Sequence, residues 1–207
     1  TCLGISADLN FSDIDENLIN NSEIIYLEGY LVSSDPCFET SKKIIKIGRT
    51  RDVKISISLS DPNIVKAFKS RLESWMTVPI DFLFCNFEEA KSFCESEEIE
   101  SIKDSLLNVA KNIFITDGSN GAFVITKNFA KKIDGFPAKA IDTNGAGDMF
   151  AGGVLNLIAK EKTLEEAAKF GCFLASKGVE TIGPRLKQED YLNSVSYTHL
   201  TLPTICS

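Results

Sequence analysis

The feature that most constrains this chain is the way two hydrophobic periods take turns along it. Residues 23–30, Glu-Ile-Ile-Tyr-Leu-Glu-Gly-Tyr, read as a buried strand ending at a glycine, and residues 40–47 as a short helix with lysines outward. Residues 53–59 alternate with period two and stop at Asp61-Pro62, the pattern of a strand followed by a turn. Asn63 is then placed to cap a helix running to Ser74. A strand at 80–85, helices at 88–94 and 98–109 and a strand at 112–116 continue the exchange. Strands separated by helices predict a mostly parallel sheet covered on both faces. After residue 116 the rhythm changes. Strands at 122–125 and 129–133 are close enough for a hairpin, which predicts an antiparallel edge, and helices at 148–160 and 164–177 follow. No repeat, low-complexity block or linker interrupts this pattern, so residues 1–193 are expected to form one α/β domain.

Composition narrows the function. Of 207 residues, 43% are hydrophobic and 25% charged, enough for a real core. A net charge of −7 argues against a nucleic-acid partner. No apolar run reaches the ~20 residues that span a bilayer, so no membrane partner is expected. The start, Thr1-Cys2-Leu3-Gly4, has neither a basic region nor a Met and reads as the middle of a gene without a signal peptide. Six cysteines without C-x-x-C pairing predict free thiols and a cytoplasmic location. Residues 194–207 have no formal charge and no helical period, and resemble the translation of a sequencing adapter; they are set apart as a non-native tail. With them goes His199, the one histidine. Ser-His-Asp hydrolysis, Cys-His proteolysis and histidine-bound zinc then lose their key group, and any general base must be a carboxylate, a lysine or a tyrosine.

One string concentrates chemistry. Asp142-Thr143-Asn144-Gly145-Ala146-Gly147-Asp148 runs directly into Met149-Phe150-Ala151-Gly152-Gly153, a tight loop feeding a helix. A helix N-terminus presents unpaired N–H groups and partial positive charge, so it attracts anions. Gly145, Ala146 and Gly147 carry almost no side chain, which lets a phosphate approach the backbone. Asp148 would stand beside it, placed to take a proton from a hydroxyl. An anion cradle next to a carboxylate base is what phosphoryl transfer to an alcohol requires. The competing interpretation is a glycine-rich turn with an ordinary capping aspartate.

The full string, from Asp142 to Gly153, resembles the C-terminal signature of the PfkB (ribokinase-like) family of carbohydrate and nucleoside kinases. The resemblance implies a ribokinase-like three-layer αβα sandwich whose N-terminal part lies outside this chain, with its acceptor-binding aspartate, paired-glycine motif and lid strands. It also implies ATP and Mg²⁺ as cofactors, Asp148 as the catalytic base and an anion hole at Asn144, Gly145, Ala146 and Gly147. Asn86-Phe87-Glu88-Glu89 resembles the family's Asn-x-x-Glu, which implies that Asn86 and Glu89 organise phosphate and, through water, magnesium; by themselves the residues equally describe a helix cap. Thr116-Asp117-Gly118-Ser119-Asn120-Gly121-Ala122 resembles the family's nucleotide loop, implying ATP contacts at Thr116, Gly118 and Gly121; alone it is a loop leading into a hairpin.

Asp142 is open between two roles, holding a monovalent cation such as K⁺, as the resemblance implies, and capping the loop's own N–H groups. Lys177 and Arg185 are phosphate contacts or solvated surface charges. Thr1 to Gly4 with Glu28-Gly29-Tyr30-Leu31 resembles the adenosine-kinase-like branch, which implies a nucleoside acceptor, the adenosine 5′-hydroxyl. A sugar kinase of the ribokinase or fructokinase type and a non-catalytic nucleotide-binding relative are the alternatives. Monomer and homodimer both stay open.

Overall fold

The computed structural model describes residues 7–186. The Thr1–Gly4 string, His199 and the stretch from residue 194 lie outside the described residues.

The first compact unit runs to Thr116 and takes in Phe123–Lys131. A short helix, α1 (Glu16–Asn20), leads to β1 (Ile24–Glu28). Then come α2 (Asp35–Thr50), β2 (Lys54–Ser58), α3 (Pro62–Trp75), β3 (Ile80–Asn86), α4 (Phe87–Cys94), α5 (Ile99–Leu107) and β4 (Ala110–Thr116). Strands β1 to β4 are parallel neighbours in chain order, joined by helical crossovers. β5 (Ala122–Thr126) and β6 (Ala130–Ile133) complete the sheet as an antiparallel edge. Parallel strands are covered on both faces, and their sequences show it: Ile55, Ile57, Leu83, Ile113 and Phe114 are all at most 2% exposed. Phe84 and Phe114, register partners on β3 and β4, stack at 5.0 Å between ring centres.

The second unit comprises Asp117–Ala122 and the chain from Lys132 onward. It is built on α6 (Ala146–Ala159) and α7 (Leu164–Gly178). These helices pack through glycines. A methyl on Gly153 would stand 3.1 Å from the Cα of Gly171, and one on Gly171 would stand 2.8 Å from the Phe150 carbonyl oxygen. Only hydrogen fits at that crossing. Thr163 opens α7 with a reciprocal cap: its hydroxyl accepts the Glu166 N–H, and the Glu166 carboxylate accepts the Thr163 N–H.

Several boundaries differ from the sequence expectation, each for a local reason. The helix expected at 40–47 begins at Asp35, because Ser34 caps it and Pro36 sits in its first turn, where a missing N–H does no harm. The α3 cap is Asp61, which accepts the N–H groups of Asn63 and Ile64; Asn63 is inside the helix. The strand expected at 23–30 leaves the sheet at Gly29, whose N–H goes to the Ser60 hydroxyl at 2.7 Å. The helix expected from residue 148 starts at Ala146, because Gly145 takes the left-handed conformation (φ 76°) and its carbonyl accepts the Met149 N–H.

Candidate active site

At the carboxyl edge of the parallel strands, the first unit collects polar side chains, the position where open α/β sheets bind ligands. Asn86 ends β3 opposite Thr116 at the end of β4. Asn86 and Glu89 hold each other. The Glu89 N–H donates to Asn86 Oδ1 at 2.8 Å, while the Asn86 N–H and side-chain amide donate to the two Glu89 oxygens at 3.0 and 2.7 Å. The helix-cap interpretation is therefore realised in full. Yet Glu89 is only 6% exposed. Burial pushes its carboxyl up to about 7 against the Asn86 N–H, and the charges of Asp61 and Glu28 push the same way. An ordinary capping glutamate sits in water and does not behave so.

Glu28 and Asp61 were not among the site residues expected from sequence. Ser60 adopts a left-handed backbone (φ 68°), which a serine reaches only under constraint. Its hydroxyl accepts the Gly29 N–H and donates to the Glu28 carboxylate at 2.9 Å. The turns after β1 and β2 are thereby clamped together. The available signal was small: Glu28 is the last residue of β1, and Asp61 comes three residues past the end of β2. Among the described residues no three His, Cys, Asp or Glu side chains are grouped to chelate a metal directly. Burial pushes the Cys172 thiol up to about 12, which leaves it a poor nucleophile.

The second unit carries the glycine loop. Asp142 caps it from within: one carboxylate oxygen accepts the Asn144 N–H at 3.0 Å and the other the Gly183 N–H at 3.0 Å. These two bonds hold its carboxyl below the ordinary carboxylate value. The Ala146 N–H is given to the Thr143 carbonyl. Gly145 is small for the protein's own sake: a methyl there would stand 2.6 Å from the Pro184 carbonyl oxygen. Gly147 is different, because a methyl there would meet nothing within 4 Å. Its N–H, in the first turn of α6, lacks an intrahelical acceptor by helix geometry. Asp148 stands exposed in the same turn, beside that open ground. Partial burial raises its carboxyl, and the nearby charge of Arg185 opposes the rise. Lys177 is paired with Glu180 at 3.1 Å, which accounts for it structurally.

The 117–121 loop uses its glycines for backbone conformation, with φ 52° at Gly118 and 98° at Gly121. Space over Gly118 is open, whereas Gly121 lies against Ile133 and Gly135. The candidate residues thus fall into two groups, Asn86, Glu89 and Thr116 in the first unit and the Gly118–Gly121 and Asp142–Asp148 loops in the second.

Comparison with known families matches residues 1–190 to the pfkB family carbohydrate kinase pattern. The chain belongs to the pfkB family. Among curated pfkB-like relatives, it is 30% identical over 181 residues to Adenosine kinase 2 of Arabidopsis thaliana, covering 80% of this chain and 52% of that protein. It is 25% identical over 175 residues to Probable fructokinase-5 of the same plant, covering 77% of this chain and 51% of the relative. The chain therefore spans about half the length of these curated relatives. Among solved structures, the adenosine kinase from Sinorhizobium meliloti superposes with a TM-score of 0.87 at 24% identity, over 92% of this chain and 59% of that one. That likeness shows the three-layer α/β fold of ribokinase-like pfkB proteins, with its mostly parallel sheet and antiparallel edge. No helix among the described residues is long and apolar enough to cross a membrane.

Proposed function

We propose that this pfkB-family chain serves an ATP-dependent small-molecule kinase that transfers the γ-phosphate to the 5′-hydroxyl of adenosine, with Asp148 as base. The observation that carries this is the first turn of α6, where an exposed carboxylate stands beside open space above Gly147. The acceptor hydroxyl attacks the γ-phosphorus as its proton passes to Asp148 and the bond from phosphorus to the bridging oxygen of ADP breaks. A carboxyl raised by burial is a better proton acceptor than a fully solvated one. The anion hole is the loop from Asn144 to Gly147. Asn144 and Ala146 spend their N–H groups shaping it, and the Gly147 N–H with the positive end of α6 faces the phosphoryl oxygens. Thr116, Gly118 and Gly121 line the nucleotide.

Magnesium suits Asn86 and Glu89. Glu89 is buried among like charges that a dication would relieve, and the family resemblance implies an ion held there through water. When bound it neutralises the triphosphate. Asp142, kept ionised by its two N–H donors, offers a fixed negative charge to a monovalent cation such as K⁺. The resemblance to a fructokinase supports a sugar acceptor as the second reading. The protein of this reading is a cytoplasmic enzyme.

The test is ADP release by the full-length protein with Mg-ATP and adenosine, ribose or fructose. Adenosine-dependent release that Asp148→Asn lowers by at least ~10²-fold is the expected result. Release with a sugar alone moves the acceptor. Nucleotide binding without turnover on any acceptor replaces the kinase by a non-catalytic relative.

A further inference from the structure

The segment after α7 touches the glycine loop at two points and is buried at a third residue. The Gly183 N–H donates to Asp142 at 3.0 Å, Pro184 occupies the ground that a side chain on Gly145 would need, and Leu186 is buried at 8% exposure. Between these anchors Arg185 is exposed, and among the described residues it makes no hydrogen bond or ion pair. A guanidinium without such a partner among the described residues, on a segment held on both sides of it, is not explained by packing. Its charge nevertheless reaches Asp148, whose carboxyl it draws down against burial. All of these residues belong to the second unit.

We propose that Arg185 is a further catalytic residue, whose guanidinium holds the phosphoryl group being transferred at the α6 N-terminus. The inference rests on the phosphoryl-transfer reading above. Three charged oxygens arrive on the γ-phosphorus, and the first turn of α6 supplies partial charge and N–H donors but no full positive charge. A planar guanidinium donates two parallel hydrogen bonds to such oxygens, which a lysine cannot reproduce. Arg185 takes no proton. It stabilises charge while the oxygen–phosphorus bond forms, the bond to ADP breaks and Asp148 receives the hydroxyl proton. The same loop contact explains why Gly145 must be glycine: any side chain there would push Pro184, and Arg185 with it, off the helix terminus.

The experiment compares wild type, Arg185→Gln, Arg185→Lys and Asp148→Asn in the full-length protein. Turnover is measured with Mg-ATP and the acceptor found active. Binding of ADP and of the non-hydrolysable ATP analogue AMPPNP is measured by calorimetry. Arg185→Gln is expected to lower kcat by at least ~10-fold and to weaken AMPPNP while leaving ADP within ~2-fold, with Arg185→Lys intermediate. Because Arg185 is exposed and makes no hydrogen bond or ion pair among the described residues, both variants should melt as wild type does. Turnover and AMPPNP affinity within ~2-fold of wild type in Arg185→Gln, with Asp148→Asn inactive, overturn the assignment and leave the kinase standing. Wild-type protein that transfers no phosphate overturns both.

Discussion

Gly183 donates its N–H to Asp142 at 3.0 Å across a sequence separation of 41, closing a loop that contains both long helices of the second unit. The same carboxylate organises Asn144, so one side chain fixes the glycine loop and the segment returning from α7 together. The arrangement places Pro184 on Gly145 and Arg185 near Asp148.

Asp142→Ala should therefore lower the thermal midpoint at neutral pH. Its folded carboxyl lies below the ordinary value of 3.8, so the stabilisation is present above that pH and disappears as pH falls through the lower folded value. Melting curves from pH 7 down to pH 2 should show wild type and variant converging at the acid end. A constant gap would mean that charge plays no part.

Glu89 works in the opposite sense. Its carboxyl is raised from 4.5 to about 7, so the folded state binds a proton that the unfolded chain has released. Stability is then fully present below 4.5, declines as pH rises through this window and levels off above about 7. The decline is on the order of 3 kcal/mol at 1.36 kcal/mol per pH unit. Urea unfolding of the ligand-free protein should follow that slope, and Glu89→Gln should flatten it. A wild-type curve level from pH 4.5 to 7 would refute the burial argument.

The two glycines of the loop should respond differently to the same methyl. Gly147→Ala meets no atom within 4 Å and should fold, gaining up to ~1 kcal/mol of helix propensity. Turnover should nonetheless fall by ~10-fold or more, since the methyl takes the ground assigned to the phosphate. Gly145→Ala must place a side chain at φ 76° and 2.6 Å from the Pro184 oxygen, and should lose ~1–3 kcal/mol of stability. Unfolding midpoints and turnover, measured on both, separate packing from chemistry.

Gly171→Val tests the α6–α7 crossing. A side chain there meets the Phe150 carbonyl oxygen and Val154 at 2.8 Å, and backbone cannot yield as a side-chain tip can. A loss of ~1–3 kcal/mol or more is expected in denaturant unfolding. Unchanged stability would show that the helices are free to separate.

Much of the architecture was legible because it follows from local rules. Period-two runs such as 53–59 place one face of each strand in the core, and the segments between them have helical spacing. The mostly parallel sheet and its antiparallel edge followed from that alternation, whereas the order of the strands is a tertiary result. Helix starts were less legible: Ser34, Asp61 and Gly145 each set a boundary by hydrogen bonding or backbone sign, which apolar periodicity does not record.

Of the candidate site, the glycine turn before α6 and the Asn86–Glu89 cap could be read directly, because caps and glycine turns are written in neighbouring residues. The acidity of Glu89 could not, since it arises from burial and from Asp61 and Glu28, brought close by parallel pairing. Nor could the strained Ser60, or the partnership of Gly145 with Pro184. Sequence alone determined which stretches form strands, helices and the glycine turn, though not their exact ends, because those depend on near neighbours. Tertiary structure alone decided which charges share an environment and which glycine faces open ground, because both depend on atoms that chain distance does not bring together.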